Sequence, residues 1–500
     1  MSRLLTFPPT AILESWPTVL IATITPFFFA SDSSAATLEV PGEYATIQAG
    51  IDAASAGDTV LVAVGIYSGA GNRDLDFGGV DLVLLSEADP GATIDCEGLG
   101  RGIYFHTGES GAAVVDGFTI KNGFTACCFP DGYGGGIFCG GGTAPTIRNC
   151  VFENNYAERD GGGVYCGASG ASIANCRFYG NSAAYGGGVY CGDSSAIADC
   201  RFDGNEGLTG GGGITVAGSG SPVVERCVIR NNTAKSGGGV NIRNSASPTF
   251  DECLIVGNLA TINGGGFLMK DASPNLASCT VSGNRTTGEG GGIYSENSTT
   301  TLERGVLWGD CAAAGDEVYI SDATSVLTVE CSDIDSSGVE VVGGGVVDYV
   351  QDNLYVDPVF CDPRPCNTAP TAEGDYRLQD VSPCLPAASP CGTLIGALGE
   401  GCVPSSVPGD GLGGARRSAL RAVVPNPSRG AFSIRLELGE PETVRLRAYD
   451  VGGRRIETFR EVSLPAGAHE VHWALNAAGV YLLRLEVGGR VETRRVVIAP

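Results

Sequence analysis

Lysine, histidine and long apolar runs are scarce in this 500-residue sequence, and each scarcity excludes something. Lysine occurs only as Lys121, Lys235 and Lys270, and the net charge is −25. A nucleic-acid backbone is held by clustered Lys and Arg, so no nucleic acid is expected as a partner. The histidines are His106, His469 and His472. A Ser-His-Asp site in the first 400 residues would have to use His106, and no supporting motif surrounds it. The apolar run Val19–Ala30 is shorter than the ~20 residues a membrane-spanning helix needs, and no later run is long enough, so the chain is not expected to be transmembrane. Arg3 precedes that run and Ser34-Ala35-Ala36 follow it, the layout of a signal peptide. Residues 1–36 are therefore expected to be a leader, and the protein to be exported. Two Met and few helix formers in runs argue against a helical protein.

Glycine and cysteine are abundant, at 77 and 19 residues. Glycine weakens helices and strands alike, so an ordered Gly-rich chain must place it at recurring tight turns. Five hundred residues also exceed one ordinary core, so an array is expected. The repeat is direct. Cys stands at 150, 176, 200, 227, 253 and 279, in steps of 24 to 27 residues. Two residues on comes Phe152, Phe178, Phe202, Ile229, Ile255 or Val281; five residues on comes Asn155, Asn181, Asn205, Asn232, Asn258 or Asn284. Two further steps of 26 reach Gly305, with Asp310 in the Asn place, and then Cys331. On the same beat, a Gly triplet precedes Ile137, Val164, Val189, Ile214, Val240, Phe267 and Ile293. Alternation within each block predicts short strands with one buried face. One repeat cannot bury its own face, so repeats must stack into a solenoid. The fold class expected is all-β: about ten or eleven coils of a parallel β-helix between residues 40 and 350. A leucine-rich repeat has a similar period, but its Leu framework is missing.

Phe152-Glu153-Asn154-Asn155 followed by Gly161-Gly162-Gly163-Val164 resembles the polymorphic outer-membrane protein repeat, with a third Gly as the departure. Residues 38–67 resemble the entry cap of pectin-lyase-like right-handed β-helices, which implies a short helix at about Ile47–Ala54 over the first coil. Asp357-Pro358, Tyr376-Arg377-Leu378, Ser382-Pro383 and Ile395-Gly396-Ala397 are similar to the closing segment of those proteins. The resemblance covers 38–402. It implies the fold and leaves the activity open, because this fold carries lyases, hydrolases, adhesins and inert stalks.

The ladder Cys150, Cys176, Cys200, Cys227, Cys253 and Cys279 is expected to face inward as inert, reduced thiols. Cys361, Cys366, Cys384, Cys391 and Cys402 lie in a Pro-rich segment and are candidates for disulfides, which replace a missing core. Phe138, Tyr165 and Tyr190 fall between inward positions, so they are expected to stack outward on successive coils. That strip is the candidate surface for a glycan or another surface protein. Tyr294 recurs there after Thr215, Asn241 and Leu268. Asp193, Asp199, Asp203, Glu153 and Glu158 read as solvated acids, and no catalytic or metal-binding residue is assigned. No cofactor is expected. Calcium is the one ion such acidity suits, and it needs clustered carboxylates, which the pattern lacks.

Residues 403–420 read as a flexible linker rich in Gly, Pro and Ser. Over 421–500 alternation returns in five short segments with Gly turns between them, which predicts a β-sandwich. Here 415–500 carry 14 Arg against 9 acids, a net of +5, leaving −30 for the rest. Pro425-Asn426-Pro427, Tyr449-Asp450, Gly452-Gly453-Arg454, Ala466-Gly467 and Ala478-Gly479-Val480-Tyr481 are similar to the immunoglobulin-like domain of the flagellar hook-capping protein and to the type A sorting domain of type IX secretion. The basic tail appears as Arg494-Arg495, although the chain ends in Ile498-Ala499-Pro500 and not in lysine. The resemblance implies the secretion machinery as a partner. The expected protein is a secreted or surface-displayed binding or structural module. The alternative is a polysaccharide lyase or glycoside hydrolase acting on an acidic polysaccharide, which requires convergent acids beside a base on one lateral face.

Overall fold

The computed structural model describes residues 35–126 and 130–402, together with eight strands between 419 and 498. The leader expected over 1–36 and the linker over 403–420 lie, but for their last two residues each, outside the described residues. The long part is a right-handed parallel solenoid of about 11 turns. A typical coil carries four strands, as in Thr146–Arg148, Val151–Glu153, Tyr156–Asp160 and Val164–Cys166. Stacked coils give four parallel sheets of 13, 11, 7 and 11 strands, called here the first to fourth faces in that chain order.

The Cys-to-Asn block forms two strands and not one. The chain bends between them at Asn149, Asn175, Asp199, Arg226, Glu252, Ser278 and Arg304, all with positive φ. Most of these residues give no turn signal, so the pattern hid the bend. Each ladder Cys follows the bend and points inward at the corner between the first two faces. The next corner turns on Asn154, Gly180, Gly204 or Asn231, with φ of 54° to 70°. The ladder Asn follows it. Asn181 donates from N and Nδ2 to Asn205 Oδ1 at 3.1 and 2.9 Å, and from Nδ2 to Phe152 O at 3.0 Å. The buried amide is thus satisfied by its neighbours on both sides, as in stacked Asn ladders. The third Gly has a steric cause. Gly161 takes φ +71°, while a Cβ on Gly163 would stand 2.6 Å from Gly188 O of the next coil.

Inside, Phe152, Phe178 and Phe202 stack with centroids 4.7 Å apart and planes within 5°, the spacing of adjacent strands. At the entry end, helix α1 (Ile47–Ala53) lays Ile47 and Ile51 on the core. The Thr46 hydroxyl caps it by accepting from Ala49 N at 3.2 Å.

One cysteine expectation needs correction here. Cys331 does not continue the inward ladder. Val306 pairs with Asp333, so the coil from Gly305 is 27 residues long and Ser332 takes the ladder place. Cys331 occupies the bend, with φ +49°. Residues 357–402, moreover, fold back along the outside of the second face. Phe360, Tyr376, Leu378 and Ile395 pack there on outward-facing Val228, Leu254, Val256 and Val306. Thr371 N donates to Gly257 O at 2.9 Å and Gly396 N to Arg304 O at 2.7 Å.

The C-terminal module forms two antiparallel sheets. One orders Ala419–Val424, Ala431–Leu438 and Gly467–Ala474; the other holds Arg455–Thr458, Glu442–Asp450, Gly479–Val487 and Arg490–Ile498 in a row, with Val462–Leu464 beside Glu442–Asp450.

Candidate functional site

The outward positions of the fourth face carry an aromatic column. Tyr104, Phe138, Tyr165 and Tyr190 are register partners on four successive coils, and Thr215 ends the run. Centroids are 5.2 Å apart for Tyr104–Phe138 and Phe138–Tyr165, and 5.3 Å for Tyr165–Tyr190. Tyr294 and Tyr319 form a second, shorter stack at 5.8 Å. Phe138 corrects the expected strip, because it is only 2 % exposed. Arg101 lies over its ring at 5.3 Å, and a Cβ on Gly140 would meet the same ring at 2.5 Å. Tyr165 and Tyr190 remain half-buried. The Tyr133 ring stands edge-on to Tyr165 at 4.9 Å.

At Tyr190 the column opens into a groove of about 210 Å³, lined by Tyr133, Arg159, Asp160, Tyr185, Tyr190 and Arg243 with Ala184 and Asn244. Asp160 and Tyr185 are register partners immediately before the Gly triplets of their coils. Arg243 arrives from two coils beyond Tyr185 and stacks on its ring at 4.6 Å. Burial pushes the Asp160 carboxyl up to about 6, although Arg243 and Arg159 pull it the other way. Burial likewise pushes the Tyr190 phenol up to about 12. A carboxylate acceptor, two guanidinium donors and tyrosine faces converge in this groove. Amphipathic rings with fixed polar groups suit a hydroxylated ligand that has an apolar face.

The acids noted in the sequence do not converge on this groove. Asp203 is buried between Arg201 and Arg230 at 2.9 and 3.0 Å. Asp199 pairs with Arg226 at 3.0 Å. Glu153, Glu158 and Asp193 are exposed. Asp160 is the one carboxylate lining the groove. Among the described residues, no group of three or more His, Cys, Asp or Glu is placed to hold a metal ion.

The six ladder cysteines are buried and unbridged. Cys176 Sγ lies 3.3 Å from Ala174 O and 3.7 Å from Ile147 O, weak hydrogen bonds to its own and the preceding coil. Burial pushes the thiols of Cys176, Cys227, Cys253 and Cys279 well up, which disfavours their reactive thiolate form. Disulfides join Cys361 to Cys402, Cys366 to Cys311 and Cys391 to Cys331. Two of them bind the folded-back segment to the late coils. Cys384 departs from the expected group. It is buried and free, and its thiol donates to Asp333 Oδ2 at 3.1 Å.

Sequence reasoning missed Tyr133, Asp160, Tyr185, Arg159 and Arg243. The Gly triplets mark the positions of Asp160 and Tyr185. Nothing local marks Arg243, which only the coil stacking brings near.

The family described as right handed beta helix region matches residues 91–206 and 187–355, together just over half of the chain. The family described as secretion system C-terminal sorting domain matches residues 422–499. Among solved structures, that of pectate lyase Pel9A is similar at 12 % identity and a TM-score of 0.41, covering 74 % of this chain and 97 % of that one. No curated protein matches the chain.

Proposed function

From the premise that the chain belongs to the right-handed β-helix family and carries a C-terminal sorting domain that exports it to the cell surface or beyond, we propose that the solenoid is a glycan-binding module displayed or released outside the cell. The groove carries this reading. The Asp160 carboxylate makes no ion pair or hydrogen bond among the described residues, and it sits beside three tyrosines and two arginines in a recess on one lateral face. Taking a carboxylate partly out of water without a hydrogen-bond partner costs stability, and a hydroxylated ligand would supply the missing donors. The sugar ring lies on Tyr190 while Asp160 accepts from its hydroxyls and Arg159 or Arg243 donates to them. No helix among the described residues is long and apolar enough to cross a membrane.

A glycan array probed with the full exported protein tests the reading. Binding to at least one glycan class is expected, weakened at least ~10-fold by Tyr190→Ala, a loss of about 1.4 kcal/mol. Tyr294→Ala, on the separate stack, leaves binding unchanged. An array without a hit, or a Tyr190→Ala protein that binds as before, removes the proposal.

One observation favours a catalytic reading: a carboxyl titrating near 6 beside arginines suits proton transfer at neutral pH. That reading requires turnover of an acidic polysaccharide, abolished by Asp160→Asn. Binding without turnover decides for the module.

A further inference from the structure

The aromatic column of the fourth face does not begin with an aromatic residue. On the first coil its place belongs to Asp76, the register partner of Tyr104. The second outward row of this face departs from its own pattern at the same point. On the coils of Phe138, Tyr165 and Tyr190 that row holds Gly140, Gly167 and Gly192. Glycine is needed there because the rings lean over it. A Cβ on Gly140 would meet the Phe138 ring at 2.5 Å, and one on Gly167 the Tyr165 hydroxyl at 2.3 Å. On the coil of Tyr104 the row holds His106, and the two rings stack with centroids 4.1 Å apart.

This histidine stands between an acid and a hydroxyl. His106 Nε2 lies 3.2 Å from Asp76 Oδ2, and its Nδ1 lies 3.2 Å from Thr107 Oγ1. A carboxylate can only accept. Nε2 of the neutral imidazole therefore carries the proton and donates to Asp76, which leaves Nδ1 to accept from the Thr107 hydroxyl. The order is that of an orienting acid, a base and a nucleophile. No motif surrounds His106 in the sequence because its acid comes from the preceding coil, 30 residues away. Both partners are held independently of the imidazole. Gln48 of α1 clamps the Asp76 backbone, accepting from its N at 2.9 Å and donating to its O at 2.9 Å. Gly78 N donates to Asp76 Oδ1 at 2.8 Å and fixes the carboxylate. Thr107 N donates to Glu109 Oε2 at 3.0 Å, and Glu109 Oε1 accepts from Gly79 N at 3.0 Å. Glu109 is 1 % exposed, so a buried carboxylate ties the Thr107 turn to the turn that follows Asp76. His106, Thr107 and Gly108 are exposed, and the space beyond Gly108 is open, so a substrate can reach the hydroxyl.

We propose that Asp76, His106 and Thr107 form a hydrolytic site for short acyl esters, three coils from the tyrosine of the groove. Thr107 Oγ1 attacks the ester carbonyl carbon as its proton passes to His106 Nδ1. The tetrahedral intermediate collapses, the C–O bond to the alcohol breaks, and the alcohol leaves with the proton from Nδ1. Water, deprotonated by the same nitrogen, then releases the acyl group from Thr107 as a carboxylic acid and restores the hydroxyl. Ester and water give acid and alcohol, and no oxidant, reductant or cofactor enters. Side chains at an open surface suit a small acyl group, such as acetyl, on a larger hydroxylated carrier. This inference is independent of the glycan reading.

Two probes on the full chain test it: an alkyl fluorophosphonate, which labels an activated hydroxyl irreversibly, and 4-nitrophenyl acetate. Peptide mapping is expected to find the fluorophosphonate on Thr107, and to find that peptide unlabelled in Thr107→Val and in His106→Gln. Turnover of 4-nitrophenyl acetate is expected to fall about a hundredfold or more in His106→Gln and about tenfold or more in Asp76→Asn. Thr107→Ser, which keeps the hydroxyl, retains both labelling and turnover, and a melting curve like the parent's in each variant separates lost chemistry from lost fold. Three results overturn the proposal: no label on Thr107 in the parent chain, labelling that persists in His106→Gln, or a Thr107→Val protein that hydrolyses the ester like the parent.

Discussion

The coils from 146 to 296 and those after 299 solve the same stacking problem by different means. In the earlier group, like residues stand on like: Cys on Cys, Asn on Asn, and Phe on Phe where the ring fits. Each coil is held by its neighbours through side chains with identical partners. In the later group the ladders break. Gly305 stands in the Cys place and Asp310 in the Asn place, and the coil that follows is one residue longer. There the structure relies on two bridges to a segment folded back over the second face. Periodic packing needs no cross-link, while broken periodicity is repaired by covalent closure and an added apolar layer.

The largest expected effect comes from breaking the periodic group. Asn205 accepts from Asn181 N and Nδ2, and donates to Phe178 O and Asn232 Oδ1. Asn205→Ala strands several buried groups, each worth about 1–3 kcal/mol. Destabilisation of about 4 kcal/mol is expected in urea unfolding. A cost under ~1 kcal/mol would mean that the Asn ladder does not hold these coils.

Next comes the cross-linked group. Cys311–Cys366 closes a separation of 55 residues, and such a bridge typically contributes about 2–4 kcal/mol. In Cys311→Ser/Cys366→Ser, limited proteolysis is expected to attack 357–402 first, with the coils before 296 unchanged. Equal loosening of both groups would erase the distinction between them.

The smallest effect concerns the point where one group gives way to the other. Asn284 donates from N and Nδ2 to Asp310 Oδ1 at 2.6 and 3.0 Å, and Glu317 is buried against Asp310. Burial pushes Asp310 up to about 7, and burial plus the Asp310 charge raises Glu317 well above the usual range. Carboxyls raised on folding stabilise most below their unfolded values near 4, and lose that contribution as pH rises through about 7. Thermal stability of the late coils is therefore expected to fall between pH 5 and pH 8. Asp310→Asn extends the amide ladder by one rung. It is expected to raise Tm at pH 8 and flatten the slope without abolishing it, since buried Glu317, and Asp333 near 6, act in the same sense. An unchanged slope in that variant would locate the titration elsewhere.

The solenoid was legible because its repeat is loud: a Cys, an apolar residue, an Asn and a Gly triplet, each on a beat of about 26. The bend before each Cys was not, because Arg226, Glu252 or Ser278 can take a left-handed backbone only when the stack holds it there. The one-residue shift at Cys331 escaped for a related reason, since spacing of 26 and of 27 looks alike until register is seen. Of the candidate site, the tyrosine column could be read from alternation. The burial of Phe138 could not, because Arg101 comes from the preceding coil.

By itself the sequence determined what local alternation, periodicity and composition can carry: the coil, its inward ladders, and the split between an acidic main part and a basic C-terminal part. Only the tertiary structure decided which non-identical residues meet across coils. Arg243 reaches Tyr185 from two turns away, and Cys366 reaches Cys311 by a fold-back that lays residues 357–402 along the second face. Stacking fixes neighbours by register, and register is a property of the assembled coils that no single repeat encodes.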